Sequence, residues 1–146
     1  MGTEILDRKY IRLGCESVDM DSAVATAGAL LAERGLVTDD YVVAMHDREA
    51  TVSTFLGNGV ALPHGTFEAK GEVLGTGIVV SQYPEGVEWS NGTAHLVIGL
   101  AAQGEDHVTV LSQLADVLQD EELAEKLWTA DDVDFVYATL MGDQAE

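Results

Sequence analysis

Two stretches of almost unbroken apolar residues, 75–83 (GTGIVVSQY) and 94–101 (AHLVIGLA), limit what this chain can become more than any other feature. A strand with one wet face alternates apolar and polar residues. These two do not, so they read as strands buried on both faces, the middle of a sheet between helical layers. The rest of the chain supplies those layers. Met20, Ala23, Val24, Ala27, Leu30 and Leu31 recur at helical spacing, with Ser17 or Asp19 placed to cap the start and Gly35 to stop the end. A second helix opens at Thr38, has Asp39 and Asp40 at its positive end, and runs through Met45 towards Glu49, which puts Arg48 near its C-terminus. After the strands, Asp106 caps a helix to about Leu118 with Val110, Leu111, Leu114 and Leu118 inward and His107 in its first turn. Asp120 opens a further helix, and Asp131 or Asp132 the last. Tyr10–Gly14 is a short strand, and Thr51–Ala61 extended chain. This order predicts an α/β fold: a three-layer α/β/α sandwich with a central mixed β-sheet flanked by helices, one domain over residues 1–146.

Composition narrows the function. Seven Lys and Arg face 26 Asp and Glu, a net charge of −19, so the field repels polyanions and nucleic-acid binding is excluded. A solubilising surface and adaptation to a high-salt cytoplasm both account for that excess. One cysteine, Cys15, permits no internal disulfide, and reads as a small buried residue of the first strand. The start, MGTEILDRKYIRLG, lacks the apolar core of a secretory signal, and no apolar run reaches the ~20 residues that span a bilayer, which points to a cytoplasmic protein. The four histidines, His46, His64, His95 and His107, have no zinc-site spacing, and no nucleotide-binding glycine loop is present. Metal and cofactor are therefore both expected to be none.

The chemistry concentrates in 57–70, GNGVALPHGTFEAK. Pro63 pushes Leu62 into an extended conformation, and Gly65 has no Cβ to obstruct the imidazole of His64. A histidine held so, neutral near pH 7 and within reach of a large partner, suits a phosphoryl or acyl carrier.

VALPHGTFEAK, preceded by AMHDREA and followed by SQYPEGVEW and LVIGLAA, resembles the mannitol-type enzyme IIA domain of the bacterial sugar phosphotransferase system. The likeness runs from about Ile11 to Met141. It implies that His64 accepts a phosphoryl group from the histidine phosphocarrier protein HPr and passes it to a cysteine on the IIB domain of a sugar permease. The chain would then touch the membrane only through that permease. The resemblance makes Arg48, in AMHDRE, a phosphate-holding residue and His107, in GEDHVTVLSQL, a second active-site histidine. His46 and His95 depart from it, standing where an apolar residue and an arginine are usual. Physical sense agrees: a helix N-terminus at His107 welcomes an anion, and an arginine can grip two phosphoryl oxygens. Thr66 bonds either the phosphohistidine or its own loop. Gly65 belongs to the same phosphate and partner surface, and Val60, Leu62 and Phe67 form its expected apolar rim. Donor and acceptor are both side chains, so the step calls for no metal. A fructose-type or other polyol IIA domain and a regulatory phosphorylation-sensing module are the alternatives.

Overall fold

In the computed structural model, residues 5–51, 53–65, 71–89, 92–103 and 106–141 are described. Ten elements follow in order: β1 (Leu6–Arg12), α1 (Met20–Glu33), α2 (Asp39–Thr51), β2 (Phe55–Gly57), β3 (Val60–Ala61), β4 (Gly77–Trp89), β5 (Gly92–Ala101), α3 (Asp106–Leu118), α4 (Glu121–Thr129) and α5 (Val133–Met141). The strands form one sheet in the order β1-β4-β5-β3-β2. It is mixed: β1 runs parallel to β4 and β3 to β5, while β4–β5 and β2–β3 are antiparallel.

The two central strands, β4 and β5, show why an apolar run without alternation was needed. Val79, Val97 and Ala101 point into a core shared with Val24, Leu31 and Met45 of α1 and α2. Their neighbours Ile78, Val80, Leu96, Ile98 and Leu100 point the opposite way, against Leu114, Leu127 and Leu140 of α3, α4 and α5. Successive residues of one strand serve two cores, and the three-layer sandwich follows.

The helix signals are realised as hydrogen bonds. Asp19, rather than Ser17, caps α1, its side chain accepting from the Ser22 amide at 2.8 Å; that bond holds the Asp19 carboxyl below the usual range. Ser17 instead donates to the Gly86 carbonyl. At the other end Gly35 takes φ +77°. The Leu36 amide then bonds back to the Leu31 carbonyl and the Gly35 amide to that of Ala32, the Schellman closure. Asp120 caps α4 through the Glu122 and Leu123 amides.

Three expectations are corrected. The first strand is β1, starting at Leu6 and ending before Gly14, so Cys15 lies in the loop beyond it and is half-buried. Thr51 belongs to α2, and the extended chain before His64 is two short strands joined by a turn in which Asn58 takes φ 54°. The strand through Tyr83 does not stop at Pro84. Its register slips between Gln82 and Val87, a bulge that absorbs Pro84 and Gly86, and pairing resumes to Trp89. Among the described residues no helix is long and apolar enough to cross a membrane.

Candidate functional site

His64 stands just past β3, where an isolated parallel bridge pairs it with Leu100 of β5. Its backbone is tied down residue by residue. The Leu62 amide donates to the Thr54 carbonyl and the Leu100 amide to the Pro63 carbonyl, each at 3.0 Å. The Gly65 amide donates to the hydroxyl of Tyr41 at 2.8 Å. On this frame the imidazole makes a bond of its own, Nδ1 lying 2.9 Å from the Leu62 carbonyl oxygen. A carbonyl offers only lone pairs, so Nδ1 must carry the proton. In the neutral ring the lone pair then belongs to Nε2.

Two other candidate residues lie on elements that follow or flank these strands. β3 and β5 run parallel, so His64 and the last residues of β5 emerge together at their carboxyl ends, where α/β sheets place ligands. The chain then enters α3, and His107 occupies the first turn, by the positive end of the helix dipole. Arg48 lies in the last turn of α2, half-buried. Its neighbour Glu49 is buried and accepts hydrogen bonds from the Thr54 amide at 2.9 Å, the Thr54 hydroxyl and Trp89 Nε1 at 2.8 Å. Because Thr54 in turn holds Leu62, the helix end carrying Arg48 is laced to the strand delivering His64.

Tyr41 was not singled out from the sequence. Its hydroxyl accepts from the Gly65 amide and donates to the Leu100 carbonyl at 2.9 Å, and burial raises its pKa. The available signal was its spacing with Met45 and Arg48, at i, i+4 and i+7, which puts a hydroxyl on a buried helix face where it requires partners. Tyr41 also corrects the reason for Gly65. A Cβ there would come within 2.5 Å of the Tyr41 ring, so the space that glycine leaves is filled by tyrosine rather than kept for the imidazole.

Two of the three residues expected at an apolar rim are buried. Val60 is 0% exposed and Leu62 3%, both inside the core beneath α3 and α4. Leu62 does form part of a groove of about 290 Å³, lined also by Leu56, Asn58, Leu111, Leu114, Ala115, Leu118 and Gln119. None of these carries a charge, in a chain with 26 carboxylates. Leu56, which also lines this groove, is 54% exposed. Thr66 and Phe67 lie outside the described residues. His95 stacks on Trp128, with centroids 4.1 Å apart and planes at 17°, which gives it a packing role at the Asn58–Gly59 turn. Among the described residues, no group of three His, Cys, Asp or Glu side chains could hold a metal ion.

Comparison with known proteins bears on this geometry. The family described as phosphoenolpyruvate-dependent sugar phosphotransferase system, EIIA 2, matches residues 4–142. The chain is 44% identical over 140 residues to the PTS system mannitol-specific EIICBA component of Pasteurella multocida, covering 93% of this chain but 22% of that protein. It thus spans about a fifth of that larger relative. It is 43% identical over 128 residues to the mannitol-specific phosphotransferase enzyme IIA component of Bacillus subtilis, covering 87% of this chain and 90% of that one. Among solved structures, the Escherichia coli complex of enzyme IIA and phosphorylated enzyme IIB for mannitol contains a chain that superposes with a TM-score of 0.85 at 42% identity, covering 92% of this chain and 95% of that one.

Proposed function

This chain belongs to the EIIA 2 family of the phosphoenolpyruvate-dependent sugar phosphotransferase system, and from that premise we propose that Nε2 of His64 carries a phosphoryl group from HPr to a IIB cysteine for mannitol uptake. The observation that carries this reading is the Nδ1–Leu62 hydrogen bond, which leaves the Nε2 lone pair as the nucleophile. Nε2 attacks the phosphorus of the carrier's phosphohistidine in line. The new N–P bond forms as the carrier's N–P bond breaks, and the electron pair of that bond returns to the carrier imidazole. The proton stays on Nδ1, hydrogen-bonded to the Leu62 carbonyl, throughout. A loose transition state asks little covalent help of the protein, so its contribution is position and charge. Arg48 grips the phosphoryl oxygens, and His107, with the positive end of α3, balances the developing charge.

Thr66, Gly65 and Phe67, next to His64 in the sequence, are assigned to the phosphate and partner surface. The uncharged groove under α3 receives the apolar part of each partner. A partner arriving with a phosphate meets no carboxylate there, although the chain as a whole is strongly acidic. The same face serves HPr and the IIB domain in turn, because one nitrogen must reach both. The carrier works in the cytoplasm, and the permease is its link to the membrane.

Incubation with phosphorylated HPr, followed by addition of a mannitol-type or a fructose-type IIB domain, tests the assignment. Transfer to the mannitol-type cysteine at least about tenfold faster is expected. Preference for the fructose-type domain would reassign the sugar, and no phosphorylation by HPr would remove the carrier role.

A further inference from the structure

Resting on the phosphoryl-carrier reading, we propose that Tyr41 is a positioning residue of the transfer, whose hydroxyl fixes the His64 loop and thereby keeps the imidazole proton on Nδ1. The phenol oxygen is the joint of three elements. It sits on α2, accepts from the amide that follows His64 at 2.8 Å, and donates to the β5 carbonyl that lies opposite His64 at 2.9 Å. Leu62 and Pro63 are held by backbone bonds on the approach to His64. On the departing side, the bond from Gly65 is made to a side chain, and so depends on a residue that mutation can remove.

The tautomer follows from this clamp. The Nδ1–Leu62 bond closes a small loop within the chain, and its geometry holds only while the dihedrals of Pro63 and His64 stay put. An unconstrained neutral histidine side chain in water favours the proton on Nε2, the form whose Nε2 has no lone pair for phosphorus. Releasing Gly65 therefore moves the ring towards the unreactive tautomer. The same hydroxyl sets the distance from His64 to α2, on which Arg48 stands two turns further along, about 10 Å down the axis by helical rise. Partner docking, in the reading above, uses the uncharged groove under α3, which Tyr41 does not line.

Tyr41→Phe keeps the ring that packs on Gly65 and deletes only the hydroxyl. ¹⁵N NMR of His64 in the free protein should show the Nδ1–H tautomer in the wild type and a substantial Nε2–H population in Tyr41→Phe. With phosphorylated HPr, kcat should fall about tenfold while KM changes less than about twofold. Val136→Ala, a cavity in α5 on the far layer, should lower stability without moving the tautomer. Gly65→Ala, whose Cβ enters the space of the Tyr41 ring, should shift the tautomer as Tyr41→Phe does, and serves where that variant fails to fold. An unshifted tautomer, or an unchanged kcat, overturns the proposal. A wild-type protein that takes no phosphate from HPr instead overturns the carrier reading, which the tautomer measurement does not depend on.

Discussion

His64 and Leu62 are joined by a hydrogen bond within a single short segment, Nδ1–H of one donating to the carbonyl of the other at 2.9 Å. Among the bonds between described residues, this one orients, from within its own segment, the histidine proposed to carry the phosphoryl group. What surrounding elements supply is a fixed backbone on which this bond can persist.

Arg48→Lys should slow phosphoryl transfer more than it weakens partner binding. Lysine keeps the charge and loses the planar fork. One charge-assisted contact that tightens in the transition state is worth roughly 2–4 kcal/mol, about 30- to 1000-fold in kcat. Rapid-quench measurement with phosphorylated HPr reads the effect; a raised KM with unchanged kcat would assign Arg48 to docking.

Leu56→Asp should do the opposite. Leu56 is more than half exposed at the rim of the uncharged groove, so the fold tolerates the change. A carboxylate there meets an incoming phosphate and removes apolar contact. KM for the phosphorylated donor should rise about tenfold, with kcat nearly constant. Thermal unfolding within a few degrees of wild type confirms that the fold is intact, and an unchanged KM would move the docking face elsewhere.

Glu49→Ala should cost stability. Its buried carboxylate accepts from Thr54, through amide and hydroxyl, and from Trp89, and alanine leaves these donors without it. A loss of about 2–4 kcal/mol is expected from denaturant unfolding. A loss below about 0.5 kcal/mol would show that water replaces the carboxylate and that α2 is held by packing alone.

The surplus of 19 negative charges should make stability depend on salt. Between described residues one ion pair is present, Arg8–Asp134, with both side chains largely exposed, and such a pair contributes little. Self-repulsion is the larger effect, and it weakens as the screening length falls from about 10 Å at 0.1 M salt to about 3 Å at 1 M. The unfolding midpoint should rise on adding KCl across that range. A flat or falling midpoint would mean that the carboxylates are spaced widely enough not to repel.

Much of this was legible because it is local. The helix α1 is written in its own spacing, with the Asp19 cap and the Gly35 stop a few residues from the bonds they make. The double-sided burial of β4 and β5 is written in their lack of alternation, and the prominence of His64 in the residues beside it. What stayed hidden depends on distant partners. Tyr41 meets Leu100, 59 positions away, and Glu49 meets Trp89, 40 positions away. Neither residue's neighbours along the chain announce those contacts. The run of β4 past Pro84 was hidden for a related reason: proline and glycine mark a strand's end unless a partner strand accommodates a bulge, and only β5 shows that it does. Val60 was misplaced because a two-residue strand next to a glycine turn carries no periodicity from which to tell a rim from a core.

The central claim is that one nitrogen of one histidine carries the phosphoryl group. Phosphorylation by HPr, followed by mass-spectrometric mapping at alkaline pH and NMR of the ¹⁵N-labelled imidazoles, tests it most directly. The account predicts a single acid-labile phosphoryl group on Nε2 of His64, with Nδ1 still protonated, and none in His64→Ala. A phosphoryl group on Nδ1, or a stable one surviving in His64→Ala, would contradict it.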